Sequence, residues 1–294
     1  MEPPETVILH KDDGLVSELR NKVFGHAGAI IPFKEGLIAK LSREREFFFY
    51  RNFKSWIHEM LPMGILPNVR GVGFFTKEDG DQIELSLYPT LVVPQNASHV
   101  SYLILEDVIH GYSRPAVLDV KLGTRTWEIG ADDDKVSRHK AKCATATTSL
   151  TSFRIRAAMW YSKTGRNLIS SDVSMVDRMF GMSCGLDEMM DFMRDFFYDP
   201  DLIPEFIEKL KQIRVGIERL RVDAGVRMFS SSALFVYDEN DKSKVDCRIL
   251  DFEKTYFNIE STAARHNESI EECEDDVVNG IDHLIEKLSS LHID

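Results

Sequence analysis

The sequence predicts an α+β protein in two lobes, a small N-terminal lobe over residues 1–107 and a larger C-terminal lobe over 108–294. Three observations predict it. Roughly the first 105 residues read as apolar strand-like runs punctuated by glycine, with one helical stretch among them. After "PAVLDVKLG" (115–123) the balance shifts toward helix. Finally, 294 residues with 43% hydrophobic content can bury a sizeable core as one domain or as two closely packed lobes.

The elements follow in chain order. "VFGHAGAIIPFKEGLIAKL" has apolar residues broken by Gly25, Gly28 and Gly36, which suits strands joined by tight turns and puts Lys40 near the end of the second. "REREFFFYRNFKSWIHEML" carries Phe49, Phe53, Trp56, Ile57 and Met60 at helical spacing and stops before Pro62, predicting a helix with one apolar face. "NVRGVGFFT", "IELSLYPTL" and "SYLILEDV" predict three more strands. In "PAVLDVKLG" the period of two sets Leu118, Val120 and Leu122 on one face and Val117, Asp119 and Lys121 on the other, so one face packs and the other presents an acid beside a base. Gly123 would let the chain turn sharply or approach a ligand. "DDDKVSRHKAKC" opens with acids and continues with bases, the order a helix dipole favours. "SFRIRAAMWY" alternates as a strand, whereas "LDEMMDFMRDFF" and "LIPEFIEKLKQIRVGIERLRV" are helical, with Pro204 acceptable in a first turn. "SALFVYD" and "CRILDFEKTYF" predict a strand pair around the turn "ENDKSK", and Ile270, Val277, Ile281, Leu284 and Leu288 form the stripe of a closing amphipathic helix.

Composition excludes several classes. A formal net charge of -12 argues against nucleic acid or an anionic membrane as a partner held by bulk electrostatics. The acidic opening "MEPPETVILHKDD" is not a secretory signal, and no apolar run approaches the roughly 20 residues needed to span a bilayer. Cys143, Cys184, Cys247 and Cys273 lack CxxC pairing or histidines at zinc spacing, which suggests reduced thiols and a cytosolic or nuclear compartment.

Four features carry chemistry. "KVSRHKAK" places Lys135, Arg138, His139 and Lys142 on one helical face, a cation stripe in an acidic protein; a charge run is by default a solvated face, but a polyphosphate would neutralise this one through charge-assisted hydrogen bonds. "CRILDFEK" delivers Asp251 at the end of an apolar strand, placed to hold Mg²⁺, which takes one or two carboxylates together with substrate phosphates. Lys40 is followed by Glu44 and Glu46 on the next helix, and a strand lysine steadied by a helix glutamate is how kinase-type folds hold nucleotide phosphates. With the Asp119–Lys121 strand, these describe a kinase-like cleft. They do not describe a protein kinase: there is no H-R-D loop, no full G-x-G-x-x-G loop, and "DFE" stands in place of D-F-G.

"PAVLDVKLG" resembles the P-x-x-x-D-x-K-x-G signature of the inositol polyphosphate kinase family, "SSSALFVYD" its Ser-Ser-Leu-Leu segment (with Ala233 in a leucine position), and "RILDFEK" its Ile-Asp-Phe segment. Order and spacing agree from about Lys40 to the end, although the long insertion many relatives carry before the serine segment is missing. "GTRTW", the acidic stretch and "KCATATTS" resemble inositol hexakisphosphate kinases most, while "DFEKTYF" leans toward inositol trisphosphate kinases.

The resemblance implies a two-lobe protein-kinase-like or ATP-grasp-like fold, with ATP between the lobes and an inositol phosphate against the larger one. It implies that Lys40 contacts ATP phosphates, that Glu106, Asp107 and Val108 form the hinge meeting adenine, and that Ser231 and Ser232 border the nucleotide phosphates. Asp119 falls near the ribose and the catalytic centre, Lys121 at the substrate phosphate or acceptor, and Asp251 at the metal, making Asp119, Lys121 and Asp251 the implied catalytic set. The helical segment about 128–145, with Lys135, Arg138, His139 and Lys142, matches the substrate-binding helix. Lys254 falls where some members use a substrate-binding lysine and others a histidine near the metal. The implied activity is ATP- and Mg²⁺-dependent phosphorylation of inositol hexakisphosphate to a diphosphoinositol pentakisphosphate. The alternatives are a multikinase or trisphosphate 3-kinase acting on ring hydroxyls, and a non-catalytic inositol phosphate sensor or scaffold.

Overall fold

Alternating hydrophobicity in the first third of the chain produces a six-stranded antiparallel sheet, and the computed structural model describes it within residues 5–10, 29–55, 57–59, 61, 64–79, 82–88, 91, 101–165, 169 and 172–291. Its strands are β1 (Glu5–His10), β2 (Ile30–Pro32), β3 (Leu37–Ser42), β4 (Val69–Asp79), β5 (Gln82–Tyr88) and β6 (Ser101–Glu106), in the order β1-β5-β4-β6-β3-β2. Between β3 and β4 lie helix α1 (Glu44–Ser55) and a 3₁₀ turn over Ile57–Glu59. The expected helix thus ends at Ser55, short of Pro62. Its Phe49 is fully buried, joined by Phe47 and Tyr50, while the side chains of Phe53, Trp56, Ile57 and Met60 lie outside the described residues, as do Gly25 and Gly28.

The second sheet is built on β7 (Pro115–Leu122). After it come α2 (Asp133–Thr145), α3 (Thr148–Thr151), β8 (Phe153–Tyr161), β9 (Val173–Val176), α4 (Arg178–Ser183), α5 (Leu186–Phe196) and α6 (Leu202–Ala224). The chain closes with β10 (Arg227–Met228), β11 (Ser232–Asp238), β12 (Val245–Leu250), β13 (Thr255–Tyr256), α7 (Ile259–His266) and α8 (Val277–Ser289). The five-stranded order is β12-β11-β7-β8-β9, antiparallel throughout, and β10 pairs with β13 alone. The architecture is a two-lobe kinase-like fold.

Every residue of β7 after Pro115 is buried, because β7 is the central strand of its sheet. The predicted alternation holds: Leu118, Val120 and Leu122 enter the main core, and Val117 enters a separate small cluster with Ala157, Leu234 and Val236. The acid–base face is buried too, not open to solvent as an edge strand would be, with Asp119 4% and Lys121 8% exposed. Gly123 has φ +79°, and a Cβ there would lie 2.1 Å from the Asp275 carbonyl oxygen, so its backbone freedom serves a close approach to protein and not to a ligand.

The main core is continuous between the lobes. Phe49 of α1 stacks on Phe252 (centroids 3.9 Å apart, planes at 13°), and Tyr50 meets Phe252 edge-on at 5.6 Å. Such pairs add about 0.5–1.5 kcal/mol each beyond area burial. The closing helix buries Val277, Ile281, Leu284 and Leu288 as expected, but Ile270 precedes it and is exposed. Among the described residues no helix is long and apolar enough to cross a membrane, and all four cysteines are free and buried.

Candidate active site

Three sequence-distant elements bring charge to one point. β3 carries Lys40 to the sheet's cleft edge, and its ammonium donates to Glu46 Oε1 at 2.6 Å and to Asp251 Oδ1 at 3.0 Å. Lys121 from β7 approaches the other carboxylate oxygen of Asp251 at 3.5 Å. β12 ends at Leu250, and Asp251 turns through the left-handed region at φ +64°, which aspartate tolerates better than most residues. That turn releases the carboxylate from the strand face into the space between the two lysines.

Glu46, not Glu44, is the helix partner of Lys40. Glu46 is buried in the first turn of α1, accepts from the Ser42 hydroxyl at 3.0 Å and from the Phe252 amide at 3.2 Å, and so fixes the lysine from two directions; Glu44 is exposed. Burial works against the charge on Lys40, but Glu46 and Asp251 outweigh it and hold the ammonium above its ordinary range. Burial likewise opposes the charge on Asp251, yet Lys40 and Lys121 hold its carboxyl well below the usual range. Lys121 goes the other way: burial, with repulsion from Arg156 and Arg154, lowers it against the attraction of Asp251 and Asp119.

Asp119 sits beneath this pair. Burial pushes its carboxyl up to about 6, against the attraction of Arg156 and Lys121. The Ser232 hydroxyl on the adjacent strand β11 faces it and favours the ionised form, though less than burial opposes it.

A cleft opens over these groups. Lys40, Glu46, Asp119 and Asp251 line its polar end, Ile30, Ile38, Leu105, Leu234 and Leu250 its apolar walls, and Glu106, Asp107 and Val108 its rim. An apolar slot leading to converging cations is the shape that takes a flat base and a polyphosphate. Ser231 and Ser232, expected to border nucleotide phosphates, are fully buried and do not line this cleft; the Ser231 hydroxyl donates to the Met228 carbonyl, and Leu234 is the residue of that segment in the lining. Among the described residues no cluster of three or more His, Cys, Asp or Glu side chains could hold a metal on its own. A hard divalent cation commonly takes one or two carboxylates together with phosphate oxygens, and the ionised Asp251 is the residue that could hold one here.

Beyond Lys121 the positive charge continues toward α2. The helix starts on Asp132, whose side chain accepts from the Lys135 amide at 2.7 Å, and buries only Cys143. A helix so polar all round needs a reason to carry cations on one side. His139 Nδ1 lies 2.7 Å from the Thr126 hydroxyl, and Lys254 donates to the Thr126 carbonyl at 2.7 Å, so one loop residue aligns both. Lys254 is lowered because burial and repulsion from Lys121, Lys135 and Arg43 outweigh the attraction of Glu128. His139 is lowered by burial and by repulsion from Lys254, Lys142 and Lys135. Lys121 and Lys135 thus both act on Lys254, and Lys254, Lys142 and Lys135 on His139, so the positive field runs from β7 to α2. Arg138 does not take part as fully: its Nε donates to the Asp134 carbonyl of its own helix, and Lys135 is paired with Glu128.

Two further cations near the site were not singled out from the sequence. Arg154 on β8 pairs in register with Lys121, and the register shift after Asp119 makes Arg156 the extra residue of a β-bulge. Both are partly buried, and both act electrostatically on Asp119 or Lys121. The signal was the R-x-R alternation in "SFRIRAAMWY", two bases on the same face of a strand otherwise apolar.

A family model described as inositol polyphosphate kinase matches residues 102–289. Mouse inositol hexakisphosphate kinase 3 is 28% identical over 182 residues, covering 56% of this chain and 44% of that protein. Human inositol hexakisphosphate kinase 3 is 30% identical over 147 residues, covering 49% and 34%. The inositol polyphosphate multikinase of Saccharomyces cerevisiae is 26% identical over 258 residues, covering 75% and 72%. The chain thus spans less than half the length of the hexakisphosphate kinases it matches. In three dimensions it is similar to the S. cerevisiae inositol phosphate multikinase solved with ADP and Mn²⁺, with a TM-score of 0.61 at 19% identity over 86% of this chain and 98% of that one.

Proposed function

The chain belongs to the inositol polyphosphate kinase family, and on that premise we propose that it transfers the γ-phosphoryl group of ATP to an inositol phosphate, with inositol hexakisphosphate as acceptor and a diphosphoinositol pentakisphosphate as product. The observation that carries the reading is the convergence of Lys40 and Lys121 on Asp251, with Lys254 and the α2 cations continuing outward from Lys121. A metal-holding carboxylate flanked by two lysines has no purpose in a protein that only binds anions, which weighs against a sensor or scaffold.

Phosphoryl transfer is chiefly positioning and charge neutralisation. Lys40, fixed by Glu46, would hold the donor phosphates, and Lys121 would face the transferring group from the acceptor side. Bound Mg²⁺ would neutralise the donor's charge; Asp251 is the residue placed to hold it. Two polyanions repel one another, and Lys135, Lys142 and Lys254 offset that repulsion, while the His139 imidazole, held below its ordinary range, offers a hydrogen-bonding nitrogen. When the acceptor is a phosphate the nucleophile is already ionised, and no side chain need remove its proton.

The second reading, a multikinase acting on ring hydroxyls, draws support from Asp119: a carboxyl near 6 beside the transfer point is suited to accept a hydroxyl proton. The yeast multikinase also matches over more of this chain than the hexakisphosphate kinases do. Incubating the protein with ATP, Mg²⁺ and a panel of inositol phosphates, with ³¹P NMR of the products, tests both. A diphosphate signal from inositol hexakisphosphate is the expected result; new monoesters from the trisphosphate alone would replace the first reading by the second.

A further inference from the structure

We infer that Arg248 is a positioning residue for the nucleotide, a latch that acts through Glu106 to hold the 106–108 rim at a set distance from β12; the inference rests on the kinase reading above. Arg248 lies on β12, three residues before Asp251, so the strand that delivers the metal-side carboxylate carries the latch as well. Its side chain is only 12% exposed and its guanidinium is used in three directions. Nε donates to Asp246 Oδ2 at 2.6 Å, Nη1 to the Leu66 carbonyl at 3.0 Å, and Nη2 lies 3.7 Å from Glu106 Oε1. The other oxygen of Glu106 accepts from the amide and the side-chain nitrogen of Asn68, at 3.0 and 2.8 Å.

One planar fork therefore joins a large-lobe strand to the end of β6 and to the loop before β4. The adjacent Ile249 amide donates to the Ile65 carbonyl at 2.8 Å, tying the same two segments. The far end of β12 is tied to the small lobe by Lys40–Asp251 and by the Phe252 amide on Glu46. Leu250, between the two ties, faces the cleft opposite Leu105 and Val108. An ion pair that merely strengthened the interface could sit anywhere along it, whereas this one ends on a residue of the rim. Val108 and Ile109 pack on the cluster of Val117 and Leu234, and beyond them an open cavity is bordered by His110, Tyr112, Lys209 and Arg248, so Glu106 is the rim residue whose polar support comes from Arg248 and Asn68. The latch supplies the support, and a lysine, with one point charge and no fork, cannot reproduce it.

The test uses the full chain and four variants, Arg248→Met, Arg248→Lys, Glu106→Gln and the Arg248→Met/Glu106→Gln double. Calorimetry with an unhydrolysable ATP analogue is read beside steady-state kinetics and thermal melting. In Arg248→Met the nucleotide Kd and KM rise about tenfold, the effect of losing a charge-assisted bond, while kcat and the inositol phosphate KM stay within about twofold. Arg248→Lys keeps the charge, folds, and still loses about threefold in nucleotide affinity. Glu106→Gln weakens binding alone but adds little to Arg248→Met, since both remove one contact. Unchanged nucleotide affinity in Arg248→Met and Arg248→Lys, or full additivity in the double variant, overturns the inference while leaving the kinase reading intact. Failure of the unaltered protein to bind nucleotide overturns the kinase reading itself, and this inference with it.

Discussion

Asp119 and Asp251 are carboxylates on one cleft, moved in opposite directions by the same two forces. Burial dominates at Asp119 and raises it from 3.8 to about 6; the lysines dominate at Asp251 and lower it. The consequences for stability have opposite signs. Between about 4 and 6 the folded chain holds a proton on Asp119 that the unfolded chain has lost, so this group favours folding at acid pH and that contribution fades as pH rises through about 6. Asp251 favours folding above the ordinary carboxylate pKa, and its contribution is lost as pH falls below that value. Asp119→Asn, which mimics the neutral acid, is therefore expected to be more stable than the parent at pH 7, by up to about 3 kcal/mol for a two-unit shift, and no more stable near pH 4. Urea unfolding at both pH values measures this; a variant less stable at pH 7 would show that burial is not what raises Asp119.

At the scale of elements, α2 buries only Cys143 and carries the cation stripe that the proposed function turns toward the acceptor. Lys142 is exposed and forms part of the field that lowers His139, so Lys142→Ala should leave folding intact. Its expected effect is a 10- to 100-fold rise in KM for highly phosphorylated inositols, at about 1.5–3 kcal/mol per charged bond, with the ATP KM unmoved. Initial-rate kinetics with each substrate varied in turn decides this; equal effects on both would remove α2 from the acceptor site. The stripe on α2 was legible because helical spacing alone puts 135, 138, 139 and 142 on one face. The partners that qualify it, Glu128 for Lys135 and the helix's own backbone for Arg138, come from rotamers and a preceding loop, which spacing does not contain. On β7 the period of two placed Asp119 and Lys121 on one side correctly, but nothing local revealed that β11 and β8 would flank and bury them. Arg154 and Arg156 escaped for the related reason that a strand's facing depends on its neighbour's register, and here that register shifts at a bulge. The choice between Glu44 and Glu46 was equally closed to the sequence, since both lie in the first turn and only the approach of Lys40, Ser42 and the Phe252 amide selects the buried one.

Across the described residues, an acidic chain sets a path of cations between its lobes, several of them paired with carboxylates: Lys40 and Lys121 with Asp251, Lys254 beyond them, and Lys135 of α2 with Glu128. An apolar slot adjoins the Lys40 end of that path. The main core crosses between the lobes through Phe49 and Phe252, so the path is held by packing as well as by ion pairs. On the function proposed above, a donor and an acceptor polyanion would take over these internal pairings and lie side by side along the path. A crystal structure of the protein soaked with an unhydrolysable ATP analogue, Mg²⁺ and inositol hexakisphosphate tests this most directly. The account predicts the nucleotide's terminal phosphate between Lys40 and Lys121 with the metal on Asp251, and the inositol phosphate against Lys121, Lys254 and His139. Nucleotide bound elsewhere, or the two ligands competing for a single position, would contradict it.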